Sequence, residues 1–389
     1  MFGTRPELIK LAPVVHVARE AGTGTGRELA VTVLSTGQHR DMLLPLLDWF
    51  EIVPNIDLGL MRPSQTPQGL LARCLDAMDI VLASQRFDAV IVQGDTSTAL
   101  GGALAAFHRR VPVAHVEAGL RTNDIQSPFP EEANRALIGR LARWNFAPTT
   151  RAASALTSER VPGAVEITGN TVVDALDWTS RKLDRITEPP GNSEGLSADT
   201  PRVLVTLHRR ESFGAPMRES FHALATLAGR HPHIRFVYPV HRNPAVWEPA
   251  TELLGGVGNI DLIAPLDYPA LIDVMRRARL VISDSGGIQE EAPSFSVPIV
   301  ILRDATERPE VVEAGLGHLV GTRHDRIVEV ASKLLQERET LRAGSSGADN
   351  DCSNKPNPFG DGRAAERIVA RLARDLGAER ATDPVAERA

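Results

Sequence analysis

Three acidic side chains in the first half of the chain are candidates for proton-transfer chemistry. Asp95 and Glu117 each follow a short apolar run that is typical of a buried strand, and Glu131 follows the sequence SPFP, which favours an extended approach. Carboxylates grouped in a partly dry site repel one another, so their pKa values separate and yield an acid and a base. Taken singly, each of the three could instead cap a helix or pair with Arg121 or Arg135.

The sequence SDSGGIQEEAP in the second half is a candidate anion site. Ser285 can cap the helix that follows it, and Gly286 and Gly287 allow a ligand to approach the backbone closely. The free N–H groups at the start of that helix attract a phosphate or diphosphate. Glu290 and Glu291 lie inside the helix, where a carboxylate can accept hydrogen bonds from ribose hydroxyls. The alternative is an ordinary capped helix that follows a strand.

Histidines and cysteines give weaker signals. His208 and His241 stand at the ends of predicted strands, where either could bind a phosphate or relay a proton. No pair of histidines has the spacing of metal ligands on a helix, and the two cysteines, Cys74 and Cys352, are far apart. The sequence therefore predicts neither a metal site nor a disulfide framework.

The elements that must position these side chains alternate between strands and helices. Stretches with helical spacing separate short β-branched runs; in one of them Leu70, Cys74 and Met78 fall on a single face. This alternation predicts parallel sheets with helical crossovers, and therefore an α/β fold made of two Rossmann-like domains. Polar clusters follow nearly every strand, so they are predicted to line one ligand cleft. The predicted strands are residues 29–36, 87–94, 111–118, 144–149, 164–169, 202–208, 234–240, 260–266, 279–285 and 297–302.

Polar segments suggest how the chain is divided. Residues 1–168 are predicted to form an N-terminal Rossmann-like domain and residues 169–362 a C-terminal one, with a polar loop at 186–201 close to the join. Residues 363–377 carry the apolar stripe of an amphipathic helix. The last residues, 378–389, are predicted to form a flexible tail.

Composition narrows the class of protein. The formal net charge of −6 leaves no excess of positive charge to bind nucleic-acid backbones. No apolar run approaches the ~20 residues of a membrane span, and the first residues do not resemble a signal peptide. A cytoplasmic protein without nucleic-acid or membrane partners is therefore predicted.

A series of motifs in one order resembles the non-hydrolysing UDP-N-acetylglucosamine 2-epimerases of bacteria. The resemblance runs from Phe2 to about residue 322 and resumes at NPFGDGRAAERI. It implies a two-domain fold of the glycosyltransferase-B type with the ligand cleft between the domains, a last helix that packs back on the first domain, and a homodimer. The motifs are FGTRPE, GQHRDML, GDTST, HVEAGLRT, SPFPEEANR, TGNTVVDAL, HRRESFG, YPVHRNP, SDSGGIQEEAP and RDATERPE.

The resemblance implies a reaction that uses neither NAD nor a metal. UDP-N-acetylglucosamine (UDP-GlcNAc) would be converted reversibly to UDP-N-acetylmannosamine (UDP-ManNAc). The proton on C2 is not acidic, so UDP would first be eliminated to give 2-acetamidoglucal and then be added back after reprotonation on the other face. The C-terminal domain would bind UDP.

The resemblance also implies roles for individual residues. Asp95, Glu117 and Glu131, together with His208, would transfer protons, and which carboxylate acts on which face stays open. Glu291 would hold the ribose. The diphosphate would be bound by Arg5, Lys10, His208, Ser285, Gly286, Gly287 and Arg308. A second, activating UDP-GlcNAc site would involve Gln38, His39 and Arg209 or Arg210.

One departure from the family pattern concerns the start of the sheet. Family members usually carry a short apolar strand before FGTRPE, whereas here Met1 alone precedes that motif. We expect either that translation begins further upstream or that the protein lacks a central strand. Three other functions stay open: a glycosyltransferase of the same fold, a hydrolysing epimerase that releases UDP, and a non-catalytic UDP-sugar sensor.

Overall fold

The computed structural model describes residues 1–21, 29–37, 40–62, 65–186, 200–342 and 355–382. The contacts within the chain divide it into two compact units. The first unit comprises Met1–Trp178 and the segment from Phe359 onward, and the second comprises Thr179–Pro358. The division after Trp178 lies inside a helix, whereas the predicted boundary at residue 168 lies just before that helix.

The first unit contains two groups of parallel strands with the first residues of the chain between them. Strands β1 and β2 pair in parallel, and β3, β4, β5 and β6 form a four-stranded sheet in that order. The bounds are Leu34–Ser35 (β1), Ile56–Asp57 (β2), Val90–Gln93 (β3), Val113–Val116 (β4), Trp144–Ala147 (β5) and Ala164–Ile167 (β6). The predicted strand 29–36 is thus confined to β1, and β2 was not predicted.

Met1 and Phe2 occupy the place of a central strand between β1 and β3. Phe2 forms a parallel bridge with Ser35, and its N–H donates to the Leu34 carbonyl at 3.0 Å. On the other side, the amino group of Met1 donates to the Ile91 carbonyl at 3.1 Å. The side chain of Phe2 is buried. Two residues therefore carry the backbone contacts for which a longer strand was expected.

The helices of the first unit cover these strands. Leu70, Cys74 and Met78 on the third helix are buried, which confirms the predicted apolar face. A Cβ at Gly101 would lie 2.7 Å from the Cys74 sulfur, so glycine is needed where the third and fourth helices meet. The bounds are Arg5–Ala21 (α1), Arg40–Trp49 (α2), Pro67–Ser84 (α3), Ser97–His108 (α4), Glu131–Leu141 (α5), Thr150–Ser158 (α6) and Thr171–Leu183 (α7).

The last helix of the chain belongs to the first unit. Its apolar stripe of Ile368, Val369 and Leu372 is buried. The indole N–H of Trp144 in β5 donates to the Asp375 carboxylate at 2.8 Å and ties the helix to the sheet. This helix spans Ala364–Thr382 and is α14 in chain order.

The second unit is a six-stranded parallel sheet whose strand order is that of a Rossmann fold. The order β9–β8–β7–β10–β11–β12 reverses direction between β7 and β10. Nearly all residues of β7 and β10 are buried, as expected for central strands that are covered on both faces. The strands are Arg202–Thr206 (β7), Arg235–Pro239 (β8), Ile260–Ile263 (β9), Leu280–Ser283 (β10), Ile299–Ile301 (β11) and Gly317–Leu319 (β12), of which β12 was not predicted. The helices are Ala215–Arg230 (α8), Pro244–Leu254 (α9), Tyr268–Arg276 (α10), Gly286–Glu291 (α11), Pro309–Glu313 (α12) and His324–Arg342 (α13).

Candidate active site

In both units, some of the candidate residues follow strands on either side of the point where strand order reverses. In the first unit this point lies between Phe2 and β3, so the turn at Gly3 and the turn at Gly94 leave the sheet there. In the second unit it lies between β7 and β10, which lead to His208 and to Ser285. Ligands of open α/β sheets bind at this position, because neighbouring loops diverge and leave a crevice.

Glu7 organises the first turn and was not predicted to have a role. Its Oε2 accepts hydrogen bonds from the N–H groups of Gly3 and Thr4 at 2.9 and 2.7 Å, and Oε1 accepts one from the Thr96 hydroxyl at 2.6 Å. Burial raises the pKa of this carboxyl group, and the hydrogen bonds oppose the rise. The signal in the sequence is a capping box, in which a threonine precedes a glutamate by three positions.

The turn leaves Arg5 exposed at the first position of α1. Its guanidinium makes no hydrogen bond or ion pair with any residue that the structure describes. The cation can therefore bind an anion without breaking one of those contacts, as expected for a residue predicted to hold a diphosphate.

Glu117 is a buried carboxylate held by three side chains. Lys10 forms an ion pair with its Oε1, the Gln93 amide donates to Oε2, and the Asn170 amide donates to Oε1 at 3.1 Å. The backbone of Glu117 has φ of +63°, a left-handed conformation that non-glycine residues seldom adopt and that often marks a functional site. The structure thus places Lys10, predicted to hold the diphosphate, against this carboxylate.

Asp95 follows the turn at Gly94 and is an ion-pair partner of α5. Its Oδ2 lies 2.6 Å from Nη2 of Arg135, and its backbone carbonyl accepts from the Asn134 amide at 2.8 Å. The Asp95 side chain is 27% exposed, so it is open to a ligand on one side. The ion pair with Arg135 is the alternative that the sequence left open for this residue.

Glu131 and Glu132 start α5 and differ sharply in their contacts. Oε1 of Glu132, which is buried, accepts from the N–H groups of Thr122 and Asn123 at 3.0 and 3.2 Å. Glu131 is half-buried, and among the described parts of the chain its carboxylate has no hydrogen-bond or ion-pair partner. Glu131 therefore differs from the other two predicted proton-transfer carboxylates, each of which is bound to a cation.

His115 supports the Gly94 turn from inside the sheet. The side chain is fully buried, and its Nε2 lies 2.7 Å from the Gly94 carbonyl, to which it donates. Burial lowers the pKa of this histidine to about 4, so the ring is neutral at physiological pH. It therefore holds the turn before Asp95 without adding charge to the site.

In the second unit, Asp284 organises the loop after β7 and was not predicted to have a role. Its carboxylate is fully buried and accepts from the N–H groups of His208 and Arg209 at 3.0 and 2.8 Å. Nδ1 of His208 lies 3.7 Å from the same group. Burial raises the pKa of Asp284, whereas the His208 side chain lowers it. The His208 ring stacks on His241, with centroids 6.0 Å apart.

Two guanidinium groups converge on Gly286. A Cβ built there would lie 2.7 Å from Nη1 of Arg308 and 3.3 Å from Nη2 of Arg209. Nε of Arg308 is 2.6 Å from the carboxylate of Glu290, which is 1% exposed and therefore fixes the guanidinium. At Gly287 a Cβ would meet nothing within 4 Å among the described residues. Nη1 of Arg308 also lies 3.1 Å from Glu307. Two guanidinium groups thus lie next to open backbone, an arrangement that can bind a phosphate.

Ser285 and Glu291 lie at the two ends of α11. Ser285 takes the predicted N-cap position of α11 with an extended backbone, but its side chain makes no capping hydrogen bond to the helix. The serine N–H instead donates to the Ser283 hydroxyl at 2.9 Å. Glu291 lies buried at the end of α11, where its charge adds to burial in raising the pKa of Tyr268.

The structure describes only two of the four residues predicted for a second sugar-nucleotide site. Arg209 lies with Arg308 at Gly286, and Arg210 is exposed in the short 3₁₀ turn that follows. Gln38 and His39 lie outside the described residues. Within the described ranges, no cluster of three or more histidine, cysteine or acidic residues could hold a metal ion. No helix in those same ranges has both the length and the apolar character needed to cross a membrane.

These features define a protein of two Rossmann-like α/β units with a candidate anion site at the switch point of the second. Comparisons with known proteins are more specific. Residues 24–373 match the profile of a family described as UDP-N-acetylglucosamine 2-epimerase. The chain is also 45% identical over 377 residues to the UDP-N-acetylglucosamine 2-epimerase of Escherichia coli K12, with 96% of this chain and 97% of that one covered.

Solved structures give the same result. The crystal structure of UDP-GlcNAc 2-epimerase from Neisseria meningitidis bound to UDP-GlcNAc is similar with a TM-score of 0.86 and 40% identity, over 96% of this chain and 98% of that one. The crystal structure of Methanocaldococcus jannaschii UDP-GlcNAc 2-epimerase in complex with UDP-GlcNAc and UDP is similar with a TM-score of 0.77 and 30% identity. The match covers 96% of this chain and 98% of that one. The chain belongs to the UDP-N-acetylglucosamine 2-epimerase family, which confirms the resemblance predicted from the motifs. It is accordingly an isomerase with the predicted α/β fold.

Proposed function

We propose that this protein interconverts UDP-GlcNAc and UDP-ManNAc by eliminating UDP and adding it back across 2-acetamidoglucal. The observation that carries the mechanism is the contrast among the three first-unit carboxylates. Glu117 and Asp95 are paired with Lys10 and Arg135, whereas Glu131 has no partner among the described residues. An elimination that is reversed on the other face needs more than one proton-transfer group, and these carboxylates have distinct surroundings.

The second unit would hold the leaving group. When the C1–O bond breaks, its electron pair goes to the departing UDP oxygen, so negative charge grows on the diphosphate. The guanidinium groups of Arg209 and Arg308 lie at Gly286 before this charge develops, and Glu290 fixes that of Arg308. Such preorganised charge stabilises a transition state without reorganisation at the moment of reaction. Arg5, His208 and the open backbone of Gly287 are further proposed contacts for the same group.

The first unit would move the proton. A base removes the C2 proton, and the electron pair of the C–H bond forms the C1=C2 double bond of 2-acetamidoglucal. An acid then returns a proton to the opposite face of C2 while a UDP oxygen attacks C1. We assign these steps to Asp95, Glu117 and Glu131. Glu131 can exchange a proton without disturbing an ion pair of the described chain, whereas a proton on either of the others competes with its cation.

Other parts of the proposal rest on the family resemblance. We propose a homodimer, a cytoplasmic location, a Glu291 contact to ribose, and domains that extend over 1–168 with 363–377 and over 169–362. The second UDP-GlcNAc site at Gln38, His39 and Arg209 or Arg210 also remains a proposal. Arg209 would then contact one nucleotide at Gly286 or two in turn, and binding stoichiometry distinguishes these cases.

The experiment that tests the function is incubation of the protein with UDP-GlcNAc in D₂O, followed by NMR. Appearance of UDP-ManNAc with deuterium at C2, and no accumulation of free UDP, is the expected result. Accumulating UDP with free N-acetylmannosamine would indicate the hydrolysing reaction instead. Binding without conversion would contradict an epimerase and favour a transferase or a UDP-sugar sensor, which an acceptor screen separates.

A further inference from the structure

Asn170 is a neutral amide that contacts Glu117 from the start of α7, outside the sheet. It belongs to the TGNTVVDAL motif, to which the sequence assigned no chemistry. The side chain is buried, at 2% exposed, and its Nδ2 donates to Oε1 of Glu117 at 3.1 Å. Lys10 forms its ion pair with the same oxygen, so Asn170 and Lys10 together restrain one oxygen of the carboxylate.

The orientation of the Asn170 amide is fixed by its second contact. Its Oδ1 accepts the backbone N–H of Val172 at 3.0 Å. A backbone N–H can only donate, so the atom that faces Val172 is oxygen and the atom that faces Glu117 is the NH₂ nitrogen. Asn170 is therefore a donor to the carboxylate. A donor of this kind favours the ionised form of Glu117 and restrains the position of Oε1.

The backbone at Asn170 is held in turn by the segment that precedes α14. The N–H of Asn170 donates to the Phe359 carbonyl at 2.7 Å. Gly169 and Gly360 touch: a Cβ on either would lie 3.3 Å from the Cα of the other, and φ is +88° at Gly169 and +142° at Gly360. One turn further along α7, the Asp174 carboxylate accepts the N–H of Ala365 at 2.8 Å. The segment therefore sets the place of the amide.

We propose that Asn170 is a positioning residue for the epimerisation, which acts by orienting the Glu117 carboxylate and keeping it ionised. The inference rests on the proposed function, in which Glu117 is a proton-transfer group. The left-handed backbone of Glu117 is a costly conformation that persists only when its surroundings hold it. Asn170 supplies part of that restraint and links it to the docking of the segment around Phe359.

Asn170→Asp separates positioning from a purely structural role. An aspartate still accepts the Val172 N–H and keeps the start of α7, but it places a carboxylate instead of a donor against Glu117. We expect kcat to fall at least about tenfold with KM changed less, because proton transfer by positioned groups contributes about 10²–10⁴-fold. The acid limb of the plot of kcat/KM against pH should move to higher pH by about one unit or more, because the new carboxylate disfavours ionisation of Glu117.

Asn55→Asp is the matched control. Asn55 is exposed in the same unit, and its Oδ1 also accepts a backbone N–H, that of Val33 at 2.8 Å. This variant should match the wild type in kcat and in pH profile. Asn170→Ser is a second test variant, since a hydroxyl can accept from Val172 but is too short to reach Glu117; it should also lose kcat. Folding of each variant is checked by circular dichroism and gel filtration.

The outcome decides whether Asn170 positions the carboxylate or only supports the fold. Wild-type kcat and an unmoved acid limb in both the Asn170→Asp and the Asn170→Ser variants would overturn the proposal. If the wild type itself fails to convert UDP-GlcNAc, the proposed function fails, and carboxyl ¹³C NMR of glutamate-labelled protein then tests Asn170 alone. The Glu117 signal is assigned from the Glu117→Gln spectrum. A higher apparent pKa of Glu117 in the Asn170→Asp protein supports the positioning role, and an unchanged pKa refutes it.

Discussion

Replacing Gly286 by alanine tests the geometry of the anion site in the second unit. The added Cβ would lie 2.7 Å from Nη1 and 3.0 Å from Cζ of Arg308. Ordinary carbon–nitrogen contact needs a separation of about 3.5 Å, so the guanidinium has to move by most of an ångström. Its Nε is held 2.6 Å from the buried carboxylate of Glu290, which opposes the movement.

The size of the effect follows from what the guanidinium does. Displacing it weakens a charge-assisted hydrogen bond to the diphosphate, which contributes about 1.5–3 kcal/mol. Since about 1.4 kcal/mol is a factor of ten in a binding constant, UDP affinity should fall about 10- to 100-fold. The overpacking itself should lower the free energy of unfolding by about 1–3 kcal/mol.

Isothermal titration of UDP into the Gly286→Ala protein measures the loss of UDP affinity, and urea unfolding measures the loss in the free energy of unfolding. Gly256→Ala is the control, because a Cβ at Gly256 meets nothing within 4 Å in the described chain and lies in the same unit. It should leave UDP affinity and unfolding near the wild-type values. Wild-type affinity in the Gly286→Ala protein would show that Arg308 does not bind the diphosphate from its place at Gly286.

Three further expectations concern single side chains. Glu131→Gln should lower kcat about 10²- to 10⁴-fold with unchanged UDP affinity and melting temperature, because Glu131 has no partner to lose among the described residues; an unimpaired kcat would exclude it from proton transfer. Burial raises the pKa of Asp174 from 3.8 to about 6, so the folded protein retains a proton that the unfolded chain has released. The free energy of unfolding should therefore fall by on the order of 2–3 kcal/mol as pH rises between these values. In the Asp174→Asn protein, this fall in the free energy of unfolding with pH, measured by urea unfolding across the range, should be absent. The same dependence on pH in variant and wild type would contradict the assignment. Burial also raises the pKa of the Cys74 thiol to about 12, so native protein should alkylate at the Cys74 peptide far more slowly than denatured protein at about pH 8; comparable rates by peptide mass spectrometry would contradict its burial.

The sequence was sufficient for those elements in which apolar periodicity is long and regular. The strands β7 and β10 and the buried face of α3 were predicted because central parallel strands and amphipathic helices carry many apolar residues in phase. The strand β2 has two residues and an exposed Asp57, and the edge strand β12 contains Gly317 and His318. Their pairing depends on neighbouring strands and leaves little trace in local composition.

The sequence was sufficient to name candidate residues of the site, but not to say which residues contact them. The motifs singled out Glu117 and Arg308, whereas the contacts of Lys10 with Glu117 and of Arg209 with Gly286 join segments far apart in the chain. Such contacts follow from the topology of the sheets. The buried carboxylate of Asp284 was missed for a related reason, since its two backbone donors lie on the loop after a different strand.

The position of α14 has a consequence for how the protein is made. The residues that complete the first unit, including the Ala365 N–H bound by Asp174 and the Asp375 carboxylate bound by Trp144, are translated after the second unit. During synthesis the ribosome delivers the whole second unit before it delivers this helix. N-terminal domains often fold first as they emerge, but here Ile368 and Leu372 reach the core of the first unit only after the second unit has been translated. The apolar surface of the first unit that α14 covers therefore stays exposed until α14 has been made. A truncation that removes α14 would harm the half of the protein that was synthesised first.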